Sequence, residues 1–166
     1  MLIAHMPAGY IVSKAIKKQT KYSLIFSSLI FSIWPDLDLL YFYFFDSTKT
    51  FHHTYFPHLP VVMIAAFIIT LPLYNVKRFK SMRIYYVLFF VNWLIHLILD
   101  TFTGGILWLY PISKQQFLFI DIPAVYNHWI TSFVLHWSFA IELAIAAVAL
   151  AVILKTKNTN GQLPSK

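Results

Sequence analysis

The side chains able to bind a metal or move a proton gather at four places: His5; Asp36 and Asp38; His52, His53 and His58; and His96 with Asp100. Neutral imidazole and carboxylate are common ligands of zinc, manganese or iron. The sequence has no Cys, which excludes thiolate zinc sites, Cys nucleophiles and disulfides. His96 and Asp100 stand at i, i+4, so a helix puts both on one face about 6 Å apart. Asn92 extends that stripe by a turn and is expected to hydrogen-bond a ligand. Asp36 and Asp38 flank one residue after Pro35, a pattern that either bridges two metals or divides into ligand and base. A metal held there lowers the pKa of a bound water toward neutrality and supplies hydroxide for hydrolysis.

Each group also has a plainer reading. A His inside an apolar segment commonly makes a hydrogen bond between helices, which suits His96 taken alone. Asp36 and Asp38 can simply end a helix, because Pro followed by Asp is a turn signal. His52 and His53 stand among Phe51, Tyr55 and Phe56, and His52 reads as an interfacial residue. The metal reading rests on convergence, since ionisable groups in an apolar chain are costly unless they have a task.

The elements that must position these residues follow from composition. The 166 residues are 59% hydrophobic, 19% aromatic and 11% charged, against roughly 25% charge in soluble domains. That balance excludes disorder and a water-soluble globule. Leu59–Val76 and Ile84–Leu99 carry no charge, and Thr131–Leu154 carries only Glu142. About 20 apolar residues cross a bilayer as a helix, so these three stretches read as membrane segments. Tyr22–Trp34 is a fourth, stopped by Pro35-Asp36-Leu37-Asp38, with Leu39–Phe45 as an aromatic run suited to the interface. Leu2–Ile16 is a fifth; its basic residues follow the apolar stretch, so it is not expected to be a cleaved leader. The expected fold is all-α: an integral membrane helical bundle of about five segments, one domain over residues 1–154 with a polar cytoplasmic tail over 155–166.

Charge placement gives the expected orientation. Lys14, Lys17, Lys18 and Lys21 lie between the first two segments, and Lys77, Arg78, Lys80 and Arg83 between the third and fourth. Lys155, Lys157 and Lys166 lie in the tail, while Lys49 and Lys114 fall elsewhere. The positive-inside rule then sets the N-terminus outside and the C-terminus inside. This placement explains the +7 net charge without a nucleic-acid partner, because the basic residues flank membrane segments and form no basic face. It also puts all four chemical groups on the extracytoplasmic side, although none of them entered the count.

In order along the chain stand Ala4-His5, Trp34-Pro35-Asp36-Leu37-Asp38 and His53-Thr54-Tyr55-Phe56-Pro57-His58. His96-x-x-x-Asp100, Thr101-x-x-Gly104-Gly105 and Leu109-Tyr110-Pro111 follow. The ordered set resembles the membrane-bound metal-dependent hydrolase family, of the LexA-regulated inner-membrane type. The resemblance implies that His5, Asp36, Asp38, His53, His58, His96 and Asp100 are the functional set, read here as metal ligands, with Asp36 or Asp38 as catalytic metal bridge or general base. It implies a divalent ion, zinc or manganese foremost, and a place in the cytoplasmic (inner) membrane. The chain departs from that family in Thr54, where Arg usually follows the first His, and in Pro57, where Thr usually precedes the second. Loss of that Arg removes a bidentate group suited to phosphate or carboxylate.

The first two segments, at about 13 to 15 residues, make roughly 20 Å of helix against a hydrocarbon core near 30 Å. The expected site therefore lies just below the outer headgroups, within reach of a lipid-like ester or phosphoester. The expected function is hydrolysis of such a substrate by metal-activated water. The alternative is a non-catalytic membrane protein, a small transporter or scaffold, with the metal as a structural staple and Glu142 and His136 as its centre. Glu142 must be protonated or paired. His136 is expected in structural hydrogen bonding, and His128 is placed to approach the metal group. Asp46 and Asp121 read as solvated loop carboxylates.

Overall fold

Proline and local side-chain bonds interrupt the apolar sequence at several points, so that its helices do not coincide with its charge-free stretches. The computed structural model describes residues 1, 3–17, 21–47 and 51–161. Over these the fold is all-α: α1 (His5–Ile16), α2 (Tyr22–Ser32), α3 (Asp38–Phe44), α4 (Pro60–Asn75), α5 (Arg83–Thr103), α6 (Trp129–Val134) and α7 (Phe139–Gly161). Tight 3-10 turns occupy Pro35–Leu37, His52–Thr54 and Phe56–His58, with a longer one at Lys77–Met82. Lys18, Lys49 and Lys166 of the charge pattern lie outside the described residues.

Among the described residues, two stretches are long and apolar enough to cross a membrane, Lys77–Thr103 and Phe139–Thr156. Tyr22–Ser32 and Pro35–Phe44 add a third if that pair, bent by 57°, is a single broken span. The other two expected segments are helical but shorter: α4 has 16 residues and α1 has 12. Large apolar side chains such as Phe26, Ile69 and Leu150 stay exposed, as surfaces meeting a membrane do.

Thr131–Leu154 is two helices where one was expected, interrupted at residues 135–138. There His136 Nδ1 lies 2.8 Å from Ser138 Oγ and accepts from the Ser138 N–H at 3.4 Å. Local side-chain bonds of this kind compete with the helical ladder. At the other end α7 continues past Leu154 to Gly161, so the start of the expected frayed tail is helical.

α1, α2 and α5 meet along a seam of small and polar residues. A Cβ on Gly9 would stand 2.7 Å from Ser32 Oγ and 2.9 Å from Ser28 O, so only glycine lets the two backbones approach this closely. Ser28 Oγ donates to Gly9 O at 2.7 Å, and Asn92 Nδ2 donates to Ser28 Oγ at 2.9 Å. Asn92 thus serves the helix seam and not a ligand, which corrects its expected place. Val12, Leu24 and Leu88 form the apolar core beneath the seam, and Trp93, Leu97 and Ile106 form a second core beside it.

Candidate metal centre

The bend after α2 prepares one side of the site. Pro35 has no N–H, and the Asp36 N–H turns back to Ile33 O at 3.1 Å. Ser32 O is left to accept from His96 Nδ1 at 2.7 Å. A second carbonyl is supplied where α5 ends. Gly104 O accepts from His53 Nδ1 at 2.6 Å, and a Cβ on Gly104 would fall 2.1 Å from His53 Cε1. The glycine of the Thr-x-x-Gly motif is therefore required for the imidazole to fit. The motif's threonine holds the loop that follows: Trp108 Nε1 donates to Thr101 Oγ1 at 2.8 Å. The third imidazole is held by a carboxylate, with His58 Nδ1 donating to Asp38 Oδ2 at 2.6 Å. Pro57 contributes through its carbonyl, which accepts from Trp93 Nε1 at 2.7 Å and pins the His53–His58 turn to α5.

These three bonds place a ring proton of His53, His58 and His96 on Nδ1, which leaves each Nε2 free to take either a metal ion or a second proton. All three Nε2 atoms face Asp100, and those of His58 and His96 also face Asp36. Asp100 Oδ2 lies 3.0 Å from His96 Nε2, 3.4 Å from His58 Nε2 and 3.6 Å from His53 Nε2. Asp36 Oδ1 lies 3.5 Å from His96 Nε2 and 3.8 Å from His58 Nε2. The Nε2 atoms of His58 and His96 are 3.2 Å apart. Two donors on one tetrahedral ion at roughly 2.0–2.1 Å are separated by about 3.3 Å, so these distances fit the edges of a coordination polyhedron.

His5 approaches from α1. Its ring stacks on His96, centroids 3.8 Å apart and planes 17° from parallel. His5 Nε2 lies 3.2 Å from Asp100 Oδ1 and 4.0 Å from Asp36 Oδ2. The Met1 ammonium also approaches Asp100 Oδ1, at 2.5 Å. All seven expected residues thus converge, but not in one role. His5, Asp36, His53, His58, His96 and Asp100 turn donor atoms inward, while Asp38 stands behind His58.

The fit to a metal ion is good on three observations. His5 is 3% exposed and neither ring nitrogen has a hydrogen-bond partner. Asp100 Oδ2 is buried without a hydrogen bond. Lone pairs facing one another and a carboxylate repel unless a cation sits between them. Without a metal a proton does that work at His58: burial pulls the imidazolium down, but the Asp100 and Asp38 carboxylates outweigh it and push its pKa up to about 9. Burial dominates at His53 and holds it down to about 3.

His52 is the residue the sequence undervalued. Its Nδ1 lies 3.5 Å from Asp38 Oδ1 and its ring is half-buried, so it belongs to the site. The adjacent His53 was the available signal. His128, expected to approach the metal group, instead caps α6 by accepting from the Ile130 N–H at 3.3 Å. His136 makes the structural hydrogen bond expected of it. Asp46 accepts from the Tyr55 hydroxyl. Glu142 is fully buried and accepts from the backbone N–H groups of Ile3 at 2.5 Å and Ala4 at 3.1 Å. It anchors the residues that carry His5.

Beside the donor atoms lies a cavity of about 630 Å³. Asp36, His52 and His53 form its polar wall, and Leu39, Phe42 and Phe133 are among its apolar lining. Asp36 is 26% exposed, in contrast to the fully enclosed His58.

The model of the YdjM inner membrane protein family matches residues 1–160. The chain belongs to that family. No curated protein and no solved structure matches it. The family and the apolar helices together make this an inner-membrane protein. The inner-membrane half of the sequence resemblance is thereby established; the family match does not extend to the hydrolase half.

Proposed function

We propose that this protein is a membrane-bound metal-dependent hydrolase that cleaves a lipid-like ester or phosphoester. The observation that carries the reading is the set of three imidazoles whose Nδ1 protons are tied outward. Their Nε2 atoms then face Asp100, and two of them also Asp36, beside an apolar cavity. His53, His58 and His96 with Asp36 and Asp100 would hold a divalent ion, zinc or manganese, which when bound would supply hydroxide at neutral pH. Asp36 both faces the donor set and lines the cavity, so it is the donor nearest an entering substrate. Asp38 fixes the ring of His58 and its protonation state. The aromatic and aliphatic wall receives the acyl portion of the substrate.

In this reading the five apolar segments run with the N-terminus outside and the C-terminus in the cytoplasm. The centre then opens toward the extracytoplasmic leaflet. The non-catalytic alternative makes Glu142 a transport relay, but Glu142 is engaged with two backbone N–H groups. Detergent-purified protein assayed on fluorogenic phospholipid and acylglycerol esters tests the proposal. Hydrolysis abolished by a chelator and by His96→Ala or Asp100→Ala is expected. Turnover that survives both treatments contradicts it, as does metal-loaded protein inactive on every ester and phosphodiester offered.

A further inference from the structure

Resting on the reading of this cluster as a metal centre, the geometry points to two ions, bridged by Asp36 and Asp100, with His5 as the terminal ligand of the second. The two carboxylates divide their oxygens in the same way. Asp36 Oδ1 and Asp100 Oδ2 are the oxygens nearest His58 and His96. Asp36 Oδ2 and Asp100 Oδ1 are those nearest His5. Each carboxylate thus turns one oxygen toward His58 and His96 and the other toward His5.

His5 supplies the independent observation. It is buried, both of its nitrogens lack hydrogen-bond partners, and its Nε2 approaches Asp100 Oδ1 at 3.2 Å outside hydrogen-bonding alignment. An imidazole kept dry and unpaired is costly unless a ligand satisfies it. Its stacking on His96 at 3.8 Å between centroids offsets the two rings by the spacing of paired catalytic ions, about 3.5–4 Å. His5 Nε2, Asp36 Oδ2 and Asp100 Oδ1 give three protein donors, which leaves coordination positions open in the manner of a catalytic ion. An ion there displaces the Met1 ammonium from Asp100 Oδ1.

The test is stoichiometry with zinc alone and manganese alone, on the full chain in detergent after chelation. Two equivalents of zinc per chain are expected, and His5→Ala and His5→Gln should each bind one. Two equivalents of Mn(II) should give an exchange-coupled EPR spectrum in the wild type, and the six-line signal of an isolated ion in either variant. The wild-type spectrum is read on the unaltered chain, so the test stands even where a His5 variant fails to fold. One equivalent and an uncoupled signal in the wild type overturns the two-ion assignment while the metal centre stands. Two equivalents retained in both His5 variants overturns the assignment of His5. No binding at all overturns the metal centre as well.

Discussion

His58 donates from Nδ1 to Asp38 Oδ2 at 2.6 Å while its Nε2 faces Asp100 Oδ2 at 3.4 Å. The imidazole is held between two carboxylates with different tasks, one setting its tautomer and the other sharing whatever cation sits inside. Partners of this kind raise ligand basicity, and losing one costs roughly 10–100-fold in metal affinity. Asp38→Ala should show a loss of that size by competition with a chelating dye. Asp38→Asn, which keeps an oxygen that can accept from Nδ1, should lose less. Equal loss in the two variants would contradict the orienting role.

The same pair sets a pH dependence. With its pKa pushed up to about 9, His58 in the metal-free protein is protonated at neutral pH, and metal binding must release that proton. His53, held down to about 3, has no proton to release over this range. Zinc affinity should therefore rise about tenfold per pH unit from 7 to 9 and level off above that. Isothermal titration in buffers of different ionisation enthalpy measures the proton released; a flat profile across 7 to 9 would contradict the assignment.

Gly104→Ala should be among the most damaging conservative changes, because the new methyl would overlap His53. Overpacking of this kind costs about 1–3 kcal/mol, and here it falls on a ligand. A lowered Tm together with reduced zinc content is expected. Gly105, with φ at +70°, has its nearest neighbour at 3.3 Å in the flexible Gln116 side chain. Gly105→Ala should cost about 1–2 kcal/mol of backbone strain and leave zinc content unchanged.

Glu142→Ala removes the acceptor for the N–H groups of Ile3 and Ala4. The buried Ala4 donor left unpaired costs about 1–3 kcal/mol, so Tm should fall and the position of His5 should loosen. Glu142→Gln retains an acceptor oxygen and should recover much of the loss. A variant of normal stability that abolished ion flux in proteoliposomes would favour the transport alternative.

The clustering of His5, Asp36, Asp38, His53, His58, His96 and Asp100 was legible in the sequence because imidazole and carboxylate groups are expensive in an apolar chain. The separate position of Asp38 was not legible, since spacing in sequence gives no sign of which carboxylate faces inward. His52 escaped for the same reason: its link to Asp38 is a tertiary contact. Asn92 lies on the helix stripe of His96, but Ser28 on another helix claims its amide. Hydropathy also averages over breaks. It joined α6 to α7 across His136–Ser138, where side-chain bonds interrupt the ladder. It ended the last helix at Leu154, where apolarity stops but helical hydrogen bonding continues.

The most direct test of the metal centre is elemental analysis of protein purified without chelator, beside His96→Ala and Asp100→Ala. At least one equivalent of a divalent transition metal in the wild type, and a marked fall in both variants, is the predicted result. Wild-type protein that is folded yet binds no such metal even when it is supplied, or variants that keep the full metal content, would contradict it.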